Sequence, residues 1–295
     1  MGAAWISDVA MAEAIRASRN GHLVAVASRD RSRAEGLAAR HGIPRVHDSY
    51  EEVLTDPGVG AVYIPLVNSL HREWTLRALS AGKHVLCEKP LAMNAAEAGE
   101  MAAAAEASGL LLMEALMYRF HPRIRATVES LPRPRLVQAG FGFGLSAQGD
   151  NYRRDPALGG GALLDVGCYV VSIAQWILGE PSAIAATAHR AGGLDTSVAI
   201  SLGFPDGALA SLWASFETAE NQELLVLDGE TTTTVSRPFT AHRDPHDPYQ
   251  MMAEAFADAV QGGGPAPLPP SESIANMRTL DGVRAAIDHA APRHG

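Results

Sequence analysis

Residues 1–15 read MGAAWISDVAMAEAI. Gly2 leads at once into a helical pattern, with apolar residues at Ile6, Val9, Ala10, Ala14 and Ile15 and with Ser7 or Asp8 as the expected cap. A glycine placed this way ordinarily follows a buried strand and makes the first turn between strand and helix. Only Met1 precedes it. The stretch is therefore read as the first βα turn of an α/β unit whose feeding strand is not among these residues. Of the two explanations, a start set too far downstream and a genuine deletion, the first is the expectation.

Working outward, the next hundred residues alternate. HLVAVAS reads as a buried strand and RSRAEGLAARHG as a helix ended by Gly42. PRVHD is a short strand, and SYEEVL a helix with Ser49 as cap and Glu52 completing a capping box. VGAVYIPL, HVLCEKP and LLLMEAL are strands separated by the helices SLHREWTLRALSAGK and NAAEAGEMAAAAEASG. Apolar strands alternating with helices predict a doubly wound parallel sheet. From Ala183 to Ser236 the pattern changes: AIAATAHR, SVAISLGF, ALASLWASF, ELLVLDG and TTTTVS follow one another with turns and no helix between. The fold class expected is a Rossmann-like α/β domain over 1–117, its first strand missing, followed by an α+β domain over 118–295. The second domain has an open, mainly antiparallel sheet and two closing helices, near Tyr249–Val260 and Ser271–His289.

Composition narrows the function. The chain has 295 residues, 47% apolar and 19% charged, enough for a real core. A net charge of −9 argues against a nucleic-acid binder. The uninterrupted apolar runs are too short for a membrane span, and no signal segment opens the chain, so a cytoplasmic location is expected. Two cysteines, Cys87 and Cys168, make neither a disulfide framework nor a thiolate metal site, and no metal is expected. The loop HRDPHD offers His242, His246 and Asp247, but Pro245 breaks the helix that would align them, and it is read as solvated. The cations are 22 Arg against two Lys, Lys83 and Lys89. Lysine differs from arginine in being able to lose its proton near neutral pH when crowded. Lys83 follows the helix-ending Gly82 and suits a dipole partner, whereas Lys89 lies at the end of a strand, where α/β sheets bind ligands.

Six segments in order, GAAWIS, VAVASRD, YIPLVNSLHREW, AGKHVLCEKPL, MEALMYRFHP and GGGALLDVGCY, resemble the Gfo/Idh/MocA family of nicotinamide-dependent oxidoreductases. They are most similar to its dihydrodiol and NADP-dependent xylose dehydrogenase branch. The resemblance implies a cofactor site at Gly2, Ala4, Trp5, Ile6, Ser28, Arg29, Arg33, Pro65, Asn68, His71, Glu88 and Lys89. Ser28-Arg29 stands where NAD enzymes place an acid on the ribose, which makes NADP the expected cofactor and NAD the less expected one. It also implies a catalytic set of Lys89, Asp165 and Tyr169. Taken without their motif, Asp165 and Tyr169 are a half-buried pair four residues apart on one helix face. The implied reaction transfers hydride between nicotinamide and a hydroxyl-bearing carbon of a sugar or cyclic diol. Tyr169 or Lys89 takes the proton. Pairing of two copies through the second-domain sheet is expected, because ALASLWASF leaves an apolar face uncovered. Two other readings are a non-catalytic nucleotide-binding regulator of the same fold and an inactive truncated fragment. An intact Lys89, Asp165 and Tyr169 set speaks for the enzyme.

Overall fold

The computed structural model describes residues 1–132, 134–146, 151–240 and 245–290. His242 lies outside them. In chain order the elements are α1 (Ala12–Ala17, preceded by a π-helical turn Ser7–Met11), β1 (Ala25–Ala27), α2 (Arg31–His41), β2 (Arg45–His47), α3 (Tyr50–Thr55), β3 (Ala61–Ile64), α4 (His71–Ser80), β4 (His84–Cys87), α5 (Ala95–Ser108) and β5 (Leu112–Glu114). Then come α6 (Pro122–Glu129), β6 (Leu136–Gly142), α7 (Cys168–Leu178, preceded by a π-helical turn Leu163–Gly167), β7 (Ala183–Ala191), β8 (Leu194–Gly203), β9 (Leu209–Ser215), β10 (Asn221–Leu227), β11 (Thr232–Ser236), α8 (Pro248–Gly262) and α9 (Pro270–Ala290).

Two compact units result. The first holds residues 1–92 and 96–121 and the stretch carrying α8 through Ser273; the second holds 93–95, 122–242 and 274–295. The boundary thus falls at 121/122 rather than 117/118, and α8 joins the first unit instead of closing the second. The reason is its apolar face: Met252, Ala253, Phe256 and Ala259 are buried. Polar contacts fasten the same helix to the loop after α1, with Asn20 Nδ2 donating to Glu254 O at 3.0 Å.

In the first unit β1 pairs with β2, and β3, β4 and β5 pair in that order, all parallel. Among the described residues no strand joins β1 to β3. A cavity of about 410 Å³ lies there, lined by Val24–Val26 of the β1 side, Gly60–Tyr63 of the β3 side and Phe256 of α8. The expected vacancy beside the Gly2 turn is present. Met1 and Gly2 already form its last two rungs. The Met1 amine donates to Tyr63 O and the Gly2 N–H to Ala27 O, each at 2.7 Å. Successive residues bonding to opposite neighbours is how a central strand bonds. Gly2 sits at φ +98°, and a Cβ there would stand 2.9 Å from Leu66 Cδ2, so the turn requires glycine. The helix that follows starts differently from expectation: neither Ser7 nor Asp8 caps it. Ser7 Oγ donates back to Gly2 O, and Asp8 accepts from Arg40 and pairs with His41.

The second unit is a six-stranded sheet in the order β11-β10-β6-β9-β8-β7. Every pair is antiparallel except β6–β9. Strand alternation decides its faces: Ala210, Leu212 and Ala214 of β9 are buried, while Leu209 and Ser211 are exposed. α7 packs on the buried face, with Val170, Val171, Ile173 and Ala174 fully enclosed. The stretch Pro156–Leu178 is long and apolar enough to cross a membrane by length and composition, which the short apolar runs of the sequence did not announce. Here most of it is buried in the unit's own core.

Candidate active site

The nucleotide end of the first unit is assembled from the Gly2 turn and the C-terminal ends of the parallel strands. Ala4 and Ile6 are half-buried, and Trp5 is 71% exposed at the mouth of the turn. At the end of β1, Ser28 is buried and its hydroxyl accepts from the Asp30 N–H. Asp30 is the nearest acid, but its carboxylate is spent capping α2, accepting from Ser32 N and Arg33 N. Those bonds, with the Ser32 hydroxyl foremost, hold its pKa below the usual range. Arg33 turns back, and its guanidinium donates to Ala3 O at 2.8 Å. Arg29 is exposed. This end of β1 therefore offers a hydroxyl and cations beside a carboxylate that caps α2.

Across the sheet, Pro65 and Asn68 are buried after β3, and His71 opens α4 with no exposure. The His71 ring lies between two turns, with Nδ1 2.9 Å from Pro90 O and Nε2 3.0 Å from Leu66 O. Burial lowers its pKa, against the two carbonyls, which favour a protonated ring. It braces the Glu88-Lys89-Pro90 turn from one side. Tyr63 Oη donates to Glu88 Oε1 at 2.5 Å, and Glu88 Oε2 accepts from the Lys89 N–H. The Lys89–Pro90 peptide is cis. Lys83 is not at this site; its Nζ donates to Asp56 O and Val59 O, beyond the dipole role its position promised. Met113, Met117 and Phe120 are core residues.

In the second unit, Asp165 and Tyr169 flank the junction of the π-helical turn with α7, and both are buried. A π-turn inside a helix commonly marks a functional position. Asp195 of β8 sets where this helix begins, its Oδ2 accepting from Leu163 N at 2.7 Å. Gly161 makes room for it: a Cβ there would stand 2.5 Å from Asp195 Oδ1, at φ +109°. Asp165 Oδ2 accepts from Arg153 Nε at 2.6 Å. Burial works against the Arg153 cation, but Asp165 outweighs it, with Tyr152 and Tyr169 adding, and the guanidinium pKa lies above its ordinary value. The same positive charge favours the Tyr169 phenolate. Around that phenol stand Phe141 and Phe239, with ring centroids 5.5 and 5.7 Å away.

Arg153 and Asp195 are the residues that sequence reasoning left unplaced or missed. The spacing of Arg153 from Asp165 follows no helical or strand period, and Asp195 comes from a different element altogether. Arg119 pairs with Glu272. Cys87 and Cys168 are buried thiols. Among the described residues no cluster of His, Cys, Asp or Glu could hold a metal ion.

Residues 1–116 match the model of an oxidoreductase family with an NAD-binding Rossmann fold, and residues 124–235 match the GFO/IDH/MocA C-terminal domain. The chain is 38% identical to D-xylose 1-dehydrogenase (NADP(+)) 2 of Haloferax volcanii, over 99% of this chain and 97% of that protein. It is 41% identical to trans-1,2-dihydrobenzene-1,2-diol dehydrogenase of Sus scrofa, over 65% of this chain and 59% of that one. Among solved structures it is similar to KijD10, a 3-ketoreductase from Actinomadura kijaniata in complex with NADP and TDP-benzene. That match has a TM-score of 0.84 and 28% identity, covering 97% of this chain and 96% of that one. With both halves matched, and in the order its motifs announced, the chain belongs to the Gfo/Idh/MocA family of oxidoreductases.

Proposed function

We propose that the protein is an NADP-dependent dehydrogenase acting on a hydroxyl-bearing carbon of a sugar or cyclic diol. The observation that carries the reading is the setting of Tyr169. It is a buried phenol under the charge of Arg153, in a family of oxidoreductases whose reaction must move a hydroxyl proton along with each hydride. The relatives named above are by name a xylose and a dihydrodiol dehydrogenase, which supports this substrate class.

NADP fits the residues present. The Gly2 turn admits a close backbone approach, the helix that follows it turns its N-terminus toward that turn, and Ser28 with Arg29 and Arg33 suits a 2′-phosphate. Asp30, ionised and capping α2, stands at the same strand end, and the cations of Arg29 and Arg33 oppose its repulsion of that phosphate. When bound, the nicotinamide supplies or accepts the hydride. Tyr169 Oη takes the proton from the substrate hydroxyl during oxidation and returns it during reduction. Lys89 Nζ hydrogen-bonds the same substrate oxygen and, as a cation, makes the phenol a stronger acid. Asp165, fixed by Arg153, orients the substrate. Two copies pair through the exposed face of the six-stranded sheet, where Leu209 is 55% exposed.

The test is a panel of aldoses, polyols and cyclic diols with NADP and NAD, read at the absorbance of the reduced cofactor. Turnover of at least one sugar or diol with NADP is the expected result. Cofactor binding without turnover of any panel member would overturn the substrate class.

A further inference from the structure

Glu114 is the last residue of β5 and is 1% exposed. It stands opposite Cys87 in the parallel ladder, so it faces the point where β4 leaves the sheet toward Lys89. Its two oxygens have different surroundings. Oε1 accepts from the Leu91 N–H at 2.9 Å, while Oε2 is buried, faced by the Ser273 hydroxyl but without a well-formed hydrogen bond. Next to it the Ala115 N–H donates to Cys87 O at 2.7 Å. The turn from Cys87 to Leu91 is thereby tied to β5 at both ends, with Lys89 at its middle.

Holding one N–H does not require an ionisable group; a glutamine would serve. A carboxyl with one oxygen buried and unpaired is expensive to ionise. Burial, opposed by Ser273 and the Leu91 N–H, raises its pKa to about 7. The groups facing it are Glu88 and Lys89 from the turn, Ser273 from α9, and the Cys87 thiol from β4. Glu88 pushes the pKa up and Lys89 draws it down. Burial keeps that thiol protonated, with the two glutamates adding. The charge that changes near neutral pH in this cluster is the one on Glu114.

We propose that Glu114 is a positioning residue for Lys89: it clamps the Lys89 turn, and its protonation state sets how readily the Lys89 ammonium gives up its proton. Neutral Glu114 leaves Lys89 the easier acid, and ionised Glu114 holds the proton on Lys89. The catalytic meaning of this coupling rests on the proposed dehydrogenase reading; the coupling itself does not.

The chain's two lysines make the experiment direct. Protein labelled at lysine Cε gives two resonances, and Lys83, held by two backbone carbonyls, is the internal reference. In cofactor-free protein the Lys89 resonance is expected to show an inflection near pH 7 apart from its own titration. Glu114→Gln keeps an acceptor for the Leu91 N–H and should abolish that inflection without moving the Lys83 signal. Glu88→Gln removes a like charge and should shift the inflection to lower pH, which serves if Glu114→Gln does not fold. In turnover, Glu114→Gln should lose the matching inflection in kcat while KM for NADP stays put. An inflection unchanged in either variant, or absent from the unmodified protein, overturns the proposal. If the resonances behave as expected but no sugar or diol is oxidised, the substrate reading fails and the coupling stands.

Discussion

The slot between β1 and β3 should accept a strand, and the structure sets the size of the effect. The perturbation is an extension of about five apolar residues joined to Met1, the ordinary length of a strand. Filling a cavity of about 410 Å³ is worth at most about 10 kcal/mol at roughly 24 cal/mol per Å³. Ordering five residues costs about 5 to 10 kcal/mol. A further gain comes from the amine. Burial lowers the Met1 amine pKa from 8.0 to about 5. A depressed amine is neutral in the fold but charged when unfolded, so stability is lost as pH falls from about 8 to about 5. At pH 7 that loss is about 1.4 kcal/mol, and an amide N–H in its place abolishes it. The net gain is about 1 to 6 kcal/mol, a rise in Tm of roughly 4 to 20 °C for a unit of this size. Thermal unfolding at about pH 6 and about pH 8 reads it, and the gain should be larger at the lower pH. A control extension rich in Pro and Asp, which cannot pair in a ladder, should give none of it. If apolar and control extensions melt together, or the gain does not depend on pH, the slot is not a strand site.

Arg29→Ala should weaken NADP by about 1.5 to 3 kcal/mol and leave NAD nearly unchanged, as read by fluorescence titration; equal losses would remove the 2′-phosphate role. Lys89→Arg and Tyr169→Phe should each abolish most turnover with cofactor affinity retained, and the double variant should be little worse than either; full activity in one would remove that residue from the reaction. Arg153→Met should strand the buried Asp165 carboxylate and lower stability by about 3 to 5 kcal/mol, with Asp165→Asn restoring part of it in the double variant. Sedimentation at micromolar concentration should show a dimer that Leu209→Lys disrupts; monomer throughout would count against pairing through the sheet.

The order of elements was legible in the sequence because each segment carries its own period. All five runs from Ala183 to Ser236 are strands, and the capping box at Ser49 forms as written, with Glu52 N on Ser49 Oγ. The vacancy beside Gly2 was legible for the same local reason, since a glycine turn opening a helix implies a strand before it. Lys89 was picked out by composition and its place at a strand end. What tertiary structure decided concerns groups far apart in the chain. Ser7 and Asp8 look like caps, yet Asp8 finds the better electrostatic partner in Arg40, thirty-two residues away. α8 reads as a closing helix of the second domain, but its apolar face finds its cover in the first unit. Arg153 gains its meaning from Asp165, and Glu114 from a turn in another strand. Local propensity is set by neighbours within a few residues. Burial and the pairing of charges depend on which distant segments meet, and that is settled only when the chain packs.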